Sequence, residues 1–181
     1  MNETAKLTPE ALLEALIFAA PHPVQVEDLA NATGLTVEET EMALATMEAQ
    51  MSGRGLCLQR IRDRLQFVTA PEAAACIEEL LGLDIRLRFT QAALETLAIV
   101  AYAQPITRPQ VVSIRGVSSD STLRTLLSAG MIEELGRAQT LGRPILYGTT
   151  FEFLQQFGLQ NPDDLPPLER PQTPAPATHE S

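Results

Sequence analysis

The chain has 181 residues, 45% of them hydrophobic, 4% aromatic with no Trp, and a formal net charge of −10. That length suggests one large domain or two small ones, and a small domain has a core thin enough to favour an interface. The charge opposes a polyphosphate partner, and the longest apolar stretch, near Ile99, is about half a membrane span, so neither a general nucleic-acid binder nor a spanning protein is expected.

The amino terminus, Met-Asn-Glu-Thr-Ala-Lys, lacks the basic lead and apolar core of a signal, so a cytoplasmic location is expected. Thr8-Pro9-Glu10 predicts a helix start: a capping hydroxyl, a proline suited to the first turn, then a carboxylate at the positive end. This helix should run to about Ala20, with Leu12, Leu13, Leu16 and Ala20 facing inward, and stop at Pro21-His22-Pro23. Phe18 then lies on the opposite side beside Glu14. A helix apolar on both sides is usually buried on both sides. Two covers are open: other parts of the same chain, such as the Pro71–Leu81 helix, or a partner.

Glu27–Thr33 predicts a short second helix ended by Gly34, and Thr36 caps a third through about Met51. Leu56–Ile61 and Leu65–Thr69 read as a hairpin turning at Arg62-Asp63-Arg64. Pro71-Glu72 opens a fourth helix to about Leu81. The plan then repeats. Thr90 caps a helix to about Ala103, Thr107-Arg108-Pro109 starts a short one ended by Gly116, and Ser119-Asp120 opens a third that stops at Gly130. Ile132–Leu135 and Ile145–Thr149 are strands, and Glu152–Phe157 is a last helical turn or two. From Asn161 onward six prolines and few apolar residues predict disorder, although Asp163-Asp164-Leu165-Pro166-Pro167-Leu168 can still dock its two leucines.

The repeat is visible residue by residue at a spacing of 82: Thr8 with Thr90, Leu12 with Leu94, Ile17 with Ile99, Phe18 with Val100, Pro23 with Pro105, Gly34 with Gly116. Three helices then a hairpin is the winged-helix arrangement, so the expected fold is mainly α with small β-hairpins, as tandem winged-helix domains. The expected boundaries are an amino-terminal segment 1–7, a first domain 8–82, a linker 83–88, a second domain 89–159 and a Pro-rich tail 160–181.

Charge divides the two copies. Residues 1–82 carry 13 acidic and 5 basic side chains, a net −8, whereas 83–159 carry 6 and 7, a net +1. A DNA-reading unit puts the start of its third helix in the major groove. There the first copy has Glu38, Glu39, Glu41 and then Glu48; the second has Asp120 and Arg124. Direct DNA contact is therefore expected to be weak or indirect at most. The second-copy arginines Arg108, Arg115, Arg124, Arg137 and Arg143 are candidates for a weak contact or for surface ion pairs.

Catalytic chemistry is not expected. His22 lies between prolines and His179 is in the tail; no His/Cys/Asp cluster has metal-ligand spacing, and no glycine-rich phosphate loop is present. Ser118-Ser119 lacks a base. Cys57 and Cys76 read as buried reduced thiols. No catalytic, cofactor-binding or metal site is expected.

The second copy carries a sharper pattern. The run Ala101-Tyr102-Ala103-Gln104-Pro105-Ile106-Thr107-Arg108, then Ile114-Arg115-Gly116-Val117-Ser118-Ser119-Asp120, then Gly142-Arg143-Pro144-Ile145-Leu146-Tyr147-Gly148-Thr149-Thr150, resembles segregation and condensation protein B of bacteria. The resemblance covers about residues 8–168, and the first hairpin turn departs from it in lacking glycine. It implies a non-enzymatic accessory subunit of the condensin-like complex, a homodimer joined mainly through the first unit. It also implies binding to the kleisin subunit (segregation and condensation protein A), which links to the Smc ATPase, and a role in chromosome partition at the nucleoid. On that basis Ala11, Glu14, Ala15 and Phe18 are dimerisation candidates, and Tyr102, Arg108, Arg115, Arg124, Arg143 and Tyr147 are kleisin candidates. The two tyrosines are equally candidates for the core. A winged-helix transcription regulator is the alternative.

Overall fold

The computed structural model of the protein describes residues 7–82 and 89–168. The expected linker 83–88, most of the segment 1–7 and the tail beyond Leu168 lie outside the described residues. In chain order the elements are α1 (Pro9–Ala19), β1 (Val24–Gln25), α2 (Val26–Thr33), α3 (Val37–Met51), β2 (Leu56–Ile61) and β3 (Arg64–Thr69). A 3₁₀ turn (Pro71–Ala73) runs into α4 (Ala74–Leu81). Then come α5 (Gln91–Ala103), β4 (Ile106–Thr107), α6 (Arg108–Arg115), α7 (Asp120–Ser128), β5 (Ile132–Arg137), β6 (Ile145–Thr149), α8 (Phe151–Phe157) and a second 3₁₀ turn (Pro162–Asp164). The fold is mixed, with helices predominating and two three-stranded antiparallel sheets ordered β1-β3-β2 and β4-β6-β5.

Local chemistry accounts for the helix ends. The Thr8 hydroxyl accepts from the Ala11 amide at 3.3 Å and the Thr90 hydroxyl from Ala93 at 3.2 Å. Thr36 and Glu39 form a reciprocal capping box, the Thr36 amide donating to Glu39 Oε2 at 2.8 Å and the Glu39 amide to Thr36 Oγ1 at 3.1 Å. Gly34 and Gly116 end α2 and α6 with φ of 74° and 73°, a conformation that only glycine adopts without cost. Each sheet has a third strand that the sequence reading lacks. Val24 pairs with Leu65 and Ile106 with Tyr147, so the turn after each first helix adds a two-residue strand to the hairpin that closes its own unit.

Two apolar clusters form. Leu13, Ile17, Leu29, Leu44, Met47 and Leu65 centre the first, and Leu97, Val100, Val111, Leu126, Phe153 and Leu154 the second. Phe18 and Val100 do not occupy equivalent places, contrary to the spacing of 82. Val100 is 0% exposed, whereas Phe18 is 76% exposed. Burial matches at a spacing of 84: Leu13 and Ile17 in α1 correspond to Leu97 and Ala101 in α5. Six residues separate Ile17 from β1 but four separate Ala101 from β4, which sets the two helices out of step. Phe18 therefore corresponds to Tyr102. Nor does the helix after Pro71 cover Phe18, because α4 buries no residue at all. Cys57 is half-buried, but Cys76, on α4, is exposed rather than buried as expected.

The first hairpin leans on the second cluster, which includes its Ile61. Beside it the Gln59 side chain donates to the Leu159 carbonyl at 2.7 Å and the Arg60 amide to the Gln160 carbonyl at 2.9 Å. Arg62 and Arg64 both reach Glu133, at 3.2 and 2.9 Å. Gly148 leaves room for this contact: a Cβ there would stand 2.7 Å from Leu135 Cδ1 and 2.8 Å from Arg62 Nη2. The chain past α8 is ordered as far as Leu168, where the sequence reading expects disorder from Asn161. Asn161 and Asp164 satisfy each other's backbone, Leu165 packs on the second cluster, and the Tyr102 hydroxyl donates to the Pro166 carbonyl at 2.6 Å. Leu168 stays exposed, so one of the two leucines docks.

Candidate partner-binding surfaces

On α1 the core side is held by Leu13 and Ile17. Ala11, Glu14, Ala15 and Phe18 recur at the i, i+3, i+4 and i+7 spacing of one helical face, with Ala11 half-buried and the other three exposed. Phe18 also borders a cleft of about 360 Å³ with Pro21, His22, Leu56 and Phe67. All four dimerisation candidates thus share one surface.

The α3 face is the opposite of a DNA-reading face. Glu38, Glu39 and Glu48 are exposed. Glu39 closes the capping box, and the Thr36 backbone amide, then its hydroxyl, hold its carboxyl below the usual range. Glu41 is gripped by Arg60 through two hydrogen bonds of 2.7 and 2.6 Å, which lower its pKa against the opposing effect of burial.

Four of the six kleisin candidates come together at the start of α7. Arg108 Nε lies 2.7 Å from Asp120 Oδ1, and Arg124 Nε donates to the Asp120 carbonyl at 3.3 Å. Asp120 Oδ1 makes no aligned hydrogen bond, so its contact with Arg108 is an ion pair by proximity. Tyr147 is buried beneath them. Burial raises its hydroxyl pKa, Glu134 and Asp120 raise it further, and Arg108 opposes them. Arg115 is 9% exposed; it reaches Glu95 and Ser119 at 3.3 Å each, and its Nε is buried without an acceptor. It pins the α6–α7 turn more than it meets solvent.

The other two stand apart. Tyr102 sits at the end of α5 under the Pro166 segment, and Arg143 holds a φ of 41° in the β5–β6 loop, its carbonyl accepting from Arg137. The sequence reading missed Leu94, Ile114 and Val117, three aliphatic side chains left in solvent near Arg115. Their identities give no signal of exposure, since Val111, on the same short helix as Ile114, is fully buried. Among the described residues no group of His, Cys, Asp and Glu can hold a metal ion, and no helix is long and apolar enough to cross a membrane.

The segregation and condensation complex subunit ScpB family matches residues 11–168. Segregation and condensation protein B of Clostridium tetani is 43% identical over 171 residues, covering 93% of this chain and 90% of that one. A crystal structure of ScpB from Mycobacterium tuberculosis is 36% identical, covers 86% of this chain and 99% of that one, and superposes with a TM-score of 0.40. A dimer of a ScpB N-terminal domain complexed with a ScpA peptide is 22% identical, covers 39% of this chain and 91% of that one, and has a TM-score of 0.38.

Proposed function

Because the chain belongs to the segregation and condensation complex subunit ScpB family, we propose that it is a non-enzymatic accessory subunit of the bacterial Smc–kleisin complex. In this reading it is a homodimer of tandem winged-helix chains, with domains at 8–82 and 89–159, a linker at 83–88 and a tail at 160–181. It binds the kleisin, reaches the Smc ATPase through it, works at the nucleoid, and promotes chromosome condensation and segregation. The α1 face of Ala11, Glu14, Ala15 and Phe18 joins the two copies, and the second domain holds the kleisin through the cluster around Arg108, Arg115, Arg124 and Tyr147, with Tyr102 and Arg143 as further contacts apart from it.

One observation supports the dimer above the rest: Phe18 is 76% exposed on a helix whose other side is core. Burying a phenylalanine contributes about 1.5–3 kcal/mol, and a two-fold axis uses the same patch twice. Light scattering on the purified chain should give the mass of two chains, and Phe18→Asp the mass of one. Mixed with the purified kleisin, the unsubstituted chain should elute as a complex. A monomer that forms no complex would sink the reading. Submicromolar, sequence-dependent binding of duplex DNA by the isolated chain would favour a transcription regulator, a role that the carboxylates of α3 oppose through phosphate repulsion.

A further inference from the structure

The stretch Gln160–Leu168, rooted at Leu159 where α8 ends, touches both units. β2 is the outer strand of its sheet, so alternate backbone groups along it face away from β3. One of them, the Arg60 amide, donates to the Gln160 carbonyl at 2.9 Å, and at the root the Gln59 side chain donates to the Leu159 carbonyl at 2.7 Å. The other end of the stretch grips the second unit. Leu165 packs against the second cluster, and the Pro166 carbonyl accepts from the Tyr102 hydroxyl at 2.6 Å.

Three features make this stretch detachable. Its turn is satisfied from within: the Gln160 and Asn161 amides both donate to Asp164 Oδ2 at 3.0 Å, Asn161 Nδ2 donates to Asp164 Oδ1 at 3.0 Å, and the Asp163 amide donates to Asn161 Oδ1 at 2.9 Å. Pro162, Pro166 and Pro167 bring no amide that departure would leave without an acceptor. Beneath it lies a cleft of about 540 Å³ bordered by Ile61, Arg62, Tyr102, Gln104, Leu135 and Leu165, so the stretch bridges a gap between the units instead of filling it. Its departure gives up one half-buried leucine and the hydrogen bonds from Arg60 and Tyr102, and the turn keeps its own.

We propose that Gln160–Leu168 is a releasable clasp. Closed, it ties the outer strand of the first sheet to the end of α5 and fixes the angle between the units. Open, it bares the Arg60 amide at the β2 edge and leaves the joint to Ile61 and to the half-exposed pairs of Arg62 and Arg64 with Glu133. Salt screens those pairs, so the units then sample a wider range of angles. The clasp is a property of one chain and rests on neither the dimer nor the kleisin reading.

Amide hydrogen exchange, read by NMR on the full chain, is the test, because β2 carries its own control. The Arg60 amide faces the clasp, whereas the Gln59 and Ile61 amides face β3. Leu165→Ala and Tyr102→Phe both act at the far end, on the second unit. A clasp that opens as one body transmits either change to Arg60: Leu165→Ala should speed exchange there ~10-fold or more, and Tyr102→Phe less, as a cooperative local opening does. Gln59 and Ile61, and Leu126 within α7, should exchange as slowly as in the unsubstituted chain, which separates opening from unfolding. X-ray scattering from the double variant should give a larger radius of gyration than the unsubstituted chain at the same mass. Unchanged exchange at Arg60 in both variants overturns the clasp. Loss of protection at Arg60, Gln59 and Ile61 together also overturns it, since Leu165 is then an ordinary core residue, and so does an unchanged radius of gyration in the double variant.

Discussion

Glu41 stands where a DNA reader would carry a cation, and its partner is in its own chain. Arg60 meets it with two hydrogen bonds, 2.7 and 2.6 Å long, and these hold the carboxyl below the ordinary glutamate range. A carboxyl lowered by folding stabilises the native state above its unfolded value, and that stabilisation is lost as pH falls through the lowered value. Both side chains are about 40% exposed, so the effect is screened and small. Glu41→Gln should therefore melt slightly lower than the unsubstituted chain at neutral pH, and the two melting curves should converge in acid, where the protonated glutamate is as uncharged as the glutamine. Circular dichroism melts across the carboxylate range check this; a gap constant at every pH would show that packing, not charge, is responsible. Arg62 makes a related point. The resemblance leads one to expect glycine in this turn, yet Arg62 holds a φ of 57°. Its guanidinium lies over Gly148 and reaches Glu133, so the same residue that bears the backbone cost also joins the two units.

At the level of elements, what is written in local chemistry was legible. Thr36 caps α3 and Glu39 answers it, and that box can be read from four consecutive residues. Thr36→Ala should cost about 1 kcal/mol, since two amide donors at the helix start lose their acceptor or its alignment. Urea unfolding should show a lower midpoint with an unchanged slope; an unchanged midpoint would mean that tertiary packing alone holds this end. The strands β1 and β4 were not legible, because two residues carry no periodicity. Helix phase escapes the sequence for a sharper reason. The repeat spacing of 82 follows sequence likeness, whereas burial follows rotation about the helix axis, and a two-residue offset is about 200° of turn. It carried Val100 from the face of Leu16 to that of Phe18. The candidate site was half legible in the same way. The arginines announce a basic cluster, but which of them is nearly closed to solvent (Arg115) and which is exposed (Arg108) depends on Glu95, brought close by the packing of α5 on α6, and on Asp120, brought close by the turn after α6.

At the level of the whole chain the question is whether the two units unfold together. Ile61 is the residue to ask. It closes the first hairpin in β2, yet its side chain is fully buried in the second cluster, alongside the backbone bond from Arg60 to Gln160 and the stacking of Arg64 over Phe151 at 5.7 Å. Ile61→Ala removes apolar volume from the second cluster and leaves the first one whole, at a cost of about 2–5 kcal/mol for a well-packed site. The ion pairs at the same joint are half exposed and contribute little, so Glu133→Gln should have a much smaller effect. Scanning calorimetry of the unsubstituted chain should show one transition whose calorimetric and van't Hoff enthalpies agree, because each unit is held by the other. In Ile61→Ala the second cluster should melt first and the peak should divide. A single peak, merely shifted down with the enthalpies still equal, would mean that Ile61 is an ordinary core residue and that the coupling runs through other contacts.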